Sequence, residues 1–163
     1  MVDFIKEFDR AEARPAGSFA VTHHLAGGTA LPAIVGPAPS RITWILPVPR
    51  ESVFRAHVAA QDAPVRVRLG VSDARIYEQL ADVTVQPGAG WSALAANLSA
   101  YAGRKFSLFY RPDGWQWRLN VSVDAVAGVP GRIALGSPEI VTSRANALEY
   151  ARRRVRLTRS GGP

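Results

Sequence analysis

The sequence predicts an all-β domain of antiparallel strands, a sandwich or a barrel, with a short helical segment at each end. Three observations carry that expectation. From Ser18 to Thr142 apolar residues recur with a period of two in short segments, the spacing that puts alternate side chains on one face of a strand. Turn-forming clusters such as Gln61-Asp62-Ala63-Pro64, Gln86-Pro87-Gly88-Ala89-Gly90 and Pro112-Asp113-Gly114 separate those segments, at intervals suited to a sandwich or barrel. Helical patterns do not alternate with the strands, which argues against a parallel doubly wound sheet, because such a sheet needs a crossover helix between successive strands.

In chain order, residues 3–13 predict an amphipathic helix. Asp3 caps it, Phe4, Phe8 and Ala11 share a face, and Pro15-Ala16-Gly17 stops it. So short a helix is not stable alone, so Phe4 and Phe8 either pack back on the domain or enter a partner's groove; residues 1–17 are read as a docking segment. Strands are expected near 19–25, 41–46, 52–59, 64–71, 75–85, 91–98, 104–111, 116–126 and 131–141, making residues 18–142 the body. Within 116–126, Trp117, Leu119, Val121 and Val123 form an apolar row and Gln116, Arg118, Asn120 and Ser122 a polar one. Trp115 shares the parity of Trp117 but sits at the hairpin tip beside Asp113-Gly114, where one side of its ring stays wet. Residues 143–163 return to a helix in which Leu148, Ala151 and Val155 oppose Arg152, Arg153 and Arg154.

Composition narrows the function. With 163 residues the chain is one domain with a real core. It has no cysteine, which excludes disulfides, thiolate metal sites and cysteine nucleophiles. The net charge is +7, and the last twenty residues hold six arginines against Glu149 alone. That basic tail, which includes Arg156, suits an acidic protein or an anionic membrane surface. No apolar run is long enough to span a bilayer and the N-terminus does not read as a secretory signal, so a cytoplasmic place, or one peripheral to a membrane complex, is expected.

Candidate chemistry is sparse. His23 and His24 are adjacent on a strand and point to opposite faces, so they do not chelate one ion together. HExxH, GxSxG and phosphate-loop motifs are absent, and carboxylates stand singly at strand ends and turns. No catalytic residue, metal, structural calcium or cofactor is therefore expected. The outward strand positions carry Arg41, Arg55, Arg66, Arg68, Arg104 and Arg118, a patch suited to sulfated or carboxylated glycans, phosphate groups or acidic protein. Nucleic acid is not expected, because the large aromatics follow the core parity instead of interleaving with that patch.

The stretch WSALAANLSAYAGRKFSLFYR, Trp91 to Arg111, with GRIALGSPEIV, Gly131 to Val141, resembles the galactose-binding-like jelly-roll domains found beside bacterial sulfatases and other carbohydrate-active enzymes. In those domains a tryptophan precedes an Asp-Leu-Ser-x-Tyr-Ala-Gly corner; here Asn97 takes the place of Asp, and Leu135 that of a tryptophan common in the closing strand. The resemblance spans roughly residues 38–141 and implies a jelly-roll β-sandwich. Such domains either bind sugars or brace a neighbouring domain, and two functions follow. One is a non-catalytic accessory subunit docked to a larger protein assembly through Phe4, Phe8, Arg152, Arg153, Arg154 and Arg156. The alternative is a carbohydrate-binding module using Trp115, Tyr77, Tyr101, Arg111 and Arg118.

Overall fold

A computed structural model describes residues 1–73, 75–102, 116–143 and Leu148. From residue 1 to 143 the described residues form two facing antiparallel sheets, with 3-10 turns at Phe8–Arg10 and Ser99–Tyr101. The strands are β1 (Val2–Asp3), β2 (Glu12–Arg14), β3 (Ala20–Ala26), β4 (Thr29–Ala38), β5 (Ser40–Leu46), β6 (Val53–Gln61), β7 (Val65–Ser72), β8 (Tyr77–Val85), β9 (Ser92–Asn97), β10 (Trp117–Ala125) and β11 (Gly131–Val141). One sheet runs β3-β4-β11-β6-β9, with β1 added along the end of β11; the other runs β2-β5-β10-β7-β8.

The period-two rows meet between the sheets. Ile42, Trp44, Leu46, Val67, Leu69, Val71, Trp117, Leu119, Val121 and Val123 pack from one side against Ile34, Phe54, Val58, Ile133, Leu135 and Ile140 from the other. Each fully buried side chain of this kind contributes roughly 1.5–3 kcal/mol of transfer free energy. Trp44 and Trp117 keep their indole N–H groups satisfied inside the core, donating to the carbonyls of Glu7 at 3.1 Å and Tyr101 at 3.0 Å.

The N-terminal helix expected over residues 3–13 does not form. Val2 and Phe4 follow a strand's alternation and are both buried, and β1 pairs Val2 with Ile140 and Asp3 with Glu139. Phe4 is 1% exposed, its ring 4.6 Å from Trp44 and 5.9 Å from Phe54. Asp3 accepts the Ile5 N–H at 2.9 Å, which supports one turn before the chain straightens into β2. Core burial outweighs the intrinsic preference of a short helix. The predicted 143–163 helix and the strand at 104–111 lie outside the described residues, apart from a single helical position at Leu148.

Sequence reading assigned no strand to β4, which carries Pro32, Gly36 and Pro37. Each proline sits where only one neighbouring strand is present: Pro32 is paired by β3 alone and Pro37 by β11 alone. At such positions the missing N–H costs no ladder bond. Pro138 is accommodated by a bulge in β11 between Gly136 and Glu139.

Candidate functional site

The outer face of the second sheet holds the candidate site, and its ladder registers place each side chain. Across one row Ile45 of β5, Arg118 of β10, Ser72 of β7 and Tyr77 of β8 are neighbours. In the next lie Glu12, Thr43, Asn120, Gly70 and Gln79, and in the third Arg14, Arg41, Ser122, Arg68 and Asp82.

Tyr77 is the most exposed aromatic ring among the described residues, at 46%. It lies across the sheet over Gly70, where an added Cβ would meet the ring hydroxyl within 2.5 Å. A glycine inside a strand marks such a close approach. Ile45, 45% exposed, stands at the opposite end of the row. Three inter-strand steps, roughly 14 Å, separate the strands that carry them.

The floor between them is polar and ordered. Thr43 donates to Asn120 Oδ1 at 2.9 Å, and Asn120 Nδ2 donates to Ser72 Oγ at 2.9 Å and to the Arg118 carbonyl at 3.3 Å. Asn120 is 4% exposed although it points outward, and a polar group so covered needs partners of this kind. The chain Thr43–Asn120–Ser72 therefore ties three strands together across this face.

Charges frame the floor. Arg66 makes a forked pair with Asp82, and Arg68 Nε and an Nη donate to Asp124 at 2.7 and 3.2 Å. The hydrogen bond from Arg66 holds the Asp82 carboxyl below the usual carboxylate range, and Asp82 and Asp124 raise the guanidinium values of Arg66 and Arg68 respectively. Arg118 approaches Glu12 at 3.8 Å.

Of the sequence-predicted residues, Tyr77 and Arg118 lie in one row of this face. Tyr101 does not reach it. It is 4% exposed, edge-on to Trp117 at 5.1 Å, with its hydroxyl donated to Glu78. Its ring is part of the interior and offers no stacking surface, a correction to the sugar-binding role expected of it. Asn97 fulfils the part of the Asp in the corner motif, its Oδ1 accepting the Ser99 N–H at 2.8 Å. Phe4, expected to dock a partner, is spent in the protein's own core, and Phe8 packs against that core half-buried. Trp115, Arg111, Arg104, Arg152, Arg153, Arg154 and Arg156 lie outside the described residues. Arg55 faces outward on the other sheet, paired with Glu139 at 2.8 Å, so it does not join the patch. Sequence reading missed Ile45, Thr43, Asn120 and Gly70 as site residues. The Gly in mid-strand was the available signal.

A second hollow of about 500 Å³, near Trp91, is lined by His24, Gln61, Asp62 and Gly88. Trp91 does not offer a free platform there, because its ring rests on Gly136 and its Nε1 donates to the Thr29 carbonyl at 2.9 Å. Among the described residues no three His, Asp or Glu side chains are placed to hold a metal, and no helix is long and apolar enough to cross a membrane.

The sequence matches no protein-family model and no curated protein. The fold, in contrast, is shared with solved structures. TmCBM61 in complex with β-1,4-galactotriose superposes with a TM-score of 0.54 at 13% identity, covering 86% of this chain and 94% of that one. The CBM22-1–GH10 modules of Clostridium thermocellum xylanase 10B complexed with xylohexaose give 0.54 at 15% identity over 88% of this chain and 27% of the other. An exo-β-agarase gives 0.58 at 9% identity over 88% and 25%. The chain thus matches nearly the whole of the first structure and about a quarter of the other two, and its architecture is the β-sandwich of carbohydrate-binding modules, in keeping with the galactose-binding-like corner at Trp91–Tyr101.

Proposed function

We propose that this protein is a non-catalytic carbohydrate-binding module that takes a glycan on the outer face of the β2-β5-β10-β7-β8 sheet. The observation that carries this reading is the half-exposed Tyr77 ring packed over Gly70, beside a hydrogen-bonded amide floor and with Ile45 at the far end of its row. A sugar ring presents C–H groups to an aromatic face and hydroxyls to polar side chains around it, and an open, rigid face with one aromatic platform provides both. Gln79, two residues along β8 from Tyr77, and Arg118, two strands across from it, are exposed on the same face, placed to reach hydroxyls. The likeness in fold to modules solved with galactotriose and xylohexaose supports the same reading.

The docking-subunit reading retains its basic anchors, Arg152, Arg153, Arg154 and Arg156, but has lost Phe4 to the interior. The glycan reading is therefore preferred.

Affinity electrophoresis in gels containing neutral and acidic polysaccharides tests it. Wild-type protein should be retarded by at least one polymer, and Tyr77→Ala should lose roughly fivefold to a hundredfold in affinity, if a sugar ring stacked on the aromatic is worth the about 1–3 kcal/mol that a stacked base is. Unchanged retardation of Tyr77→Ala would remove the face from consideration.

A further inference from the structure

The geometry points to a site for an anionic substituent, a carboxylate or a sulfate ester carried on a sugar, between Arg14 and Arg41 at the far corner of this face. The inference rests on the glycan-binding reading and names the class of glycan.

Arg14 of β2 and Arg41 of β5 are directly opposite in the ladder. Directly opposed residues on one face have Cβ atoms about 4.5–5.5 Å apart, and like charges so placed destabilise a sheet. The other arginines of the face are neutralised: Arg66 by Asp82, Arg68 by Asp124, Arg118 by Glu12. Arg14 and Arg41 have no carboxylate within ion-pair distance among the described residues. Two adjacent cations without a counter-charge are a cost that a bound anion relieves.

The surroundings are shaped for that anion. A hollow of about 490 Å³ is lined by Arg14, Arg41, Arg68, Ser40, Ser122 and Asp124 together with the apolar Pro15, Pro39 and Val123. Its one acid, Asp124, is already engaged by Arg68 through two hydrogen bonds. Arg41 Nε donates to Ser122 Oγ at 3.2 Å, and this buried hydroxyl orients the guanidinium. Two guanidinium groups and a hydroxyl around one hollow match the planar, multi-oxygen geometry of a carboxylate or sulfate. From Tyr77 the corner lies three strands across and four residues along, a diagonal of roughly 20 Å. The ligand is thus a chain of several sugars with its platform contact at one end and its charge at the other.

The test uses the full chain and three polymers, a neutral galactan, a sulfated galactan and a polygalacturonate, at about 0.15 M salt, where free surface charges are largely screened. Wild type should bind one of the charged polymers roughly tenfold or more tightly than the neutral one. The Arg14→Gln/Arg41→Gln variant should lose that preference and keep its affinity for the neutral galactan, whereas Tyr77→Ala should weaken all three. Equal wild-type affinity for charged and neutral polymers, a preference that survives the double substitution, or equal binding of a single-stranded oligonucleotide would overturn the anion site and leave the glycan reading standing. If no polymer binds, the glycan reading fails, and inorganic sulfate decides the remainder. Shifts of the Arg14 and Arg41 Nε–Hε resonances on adding sulfate, against chloride at matched ionic strength, would keep the anion site. Their absence, or equal shifts at all surface arginines, would dismiss it. Both arginines are exposed, and removing their repulsion should leave the urea midpoint of the double variant no lower than that of wild type in the absence of anion.

Discussion

Gly70 shows how one missing side chain sets a platform. A Cβ there would occupy the space of the Tyr77 hydroxyl and ring edge, so Gly70→Ala should lift the ring, weakening glycan binding several-fold while the urea midpoint scarcely moves, because the ring is free to swing outward; calorimetric titration beside urea denaturation checks the pair of outcomes. The Asp82 carboxylate offers a separate readout on the same face. Its value is lowered by the Arg66 hydrogen bond, so its contribution to stability is present above the ordinary carboxylate range and is lost as pH falls through the lowered folded value. In Arg66→Gln the Asp82 carboxyl resonance should titrate at higher pH than in wild type, as carbon-detected NMR would show. At this scale the sequence revealed the direction of a side chain better than its neighbours. Tyr77 and Arg118 were legible as outward residues, and Trp117 as inward. Asn120 was legible as polar and outward, yet not as the centre of a hydrogen-bonded floor, because that depends on the register of three strands. Tyr101 was offered as a sugar contact because it is a tyrosine in the corner motif, and its place in a 3-10 turn packed on Trp117 puts the ring in the interior instead.

Elements read well wherever burial on one face imposes alternation. Strands β5, β6, β7, β10 and β11 were expected within a few residues of their observed limits, since each has one row of apolar side chains facing the opposite sheet. The two failures have physical causes. In β4 the prolines obscured a strand that tolerates them only because its neighbours are staggered, a fact of pairing that no local window contains. At the N-terminus Phe4, Phe8 and Ala11 fit a helical face, but Val2 and Phe4 fit a strand, and the cavity beside Trp44 and Phe54 decided between them. Phe4→Ala should accordingly cost about 3–5 kcal/mol in urea unfolding, far beyond the effect on a docking residue, which would leave the free protein's stability unchanged.

At the scale of the whole molecule, the two sheets divide the labour. Their inner faces consume nearly all of the large apolar side chains among the described residues, and the outer face of one sheet is left polar, framed and rigid. The architecture was predictable from period-two patterning, and its likeness in fold to galactose-binding-like β-sandwiches from the corner at Asn97 to Tyr101. Which outer face each outward residue joins was not predictable, because strand order assigns residues to faces. Arg55 and Arg41 look alike in the sequence and lie on opposite sides of the protein.

The first fourteen residues join these two jobs in one ribbon. Val2 and Phe4 plug the interior, and ten residues later Arg14 reaches the corner of the outer face. Whatever grips that corner also tethers the plug, so occupancy should slow amide exchange along Val2–Arg14 more than in the distant β9, and a chain clipped within the ribbon would forfeit solidity and discrimination in a single cut.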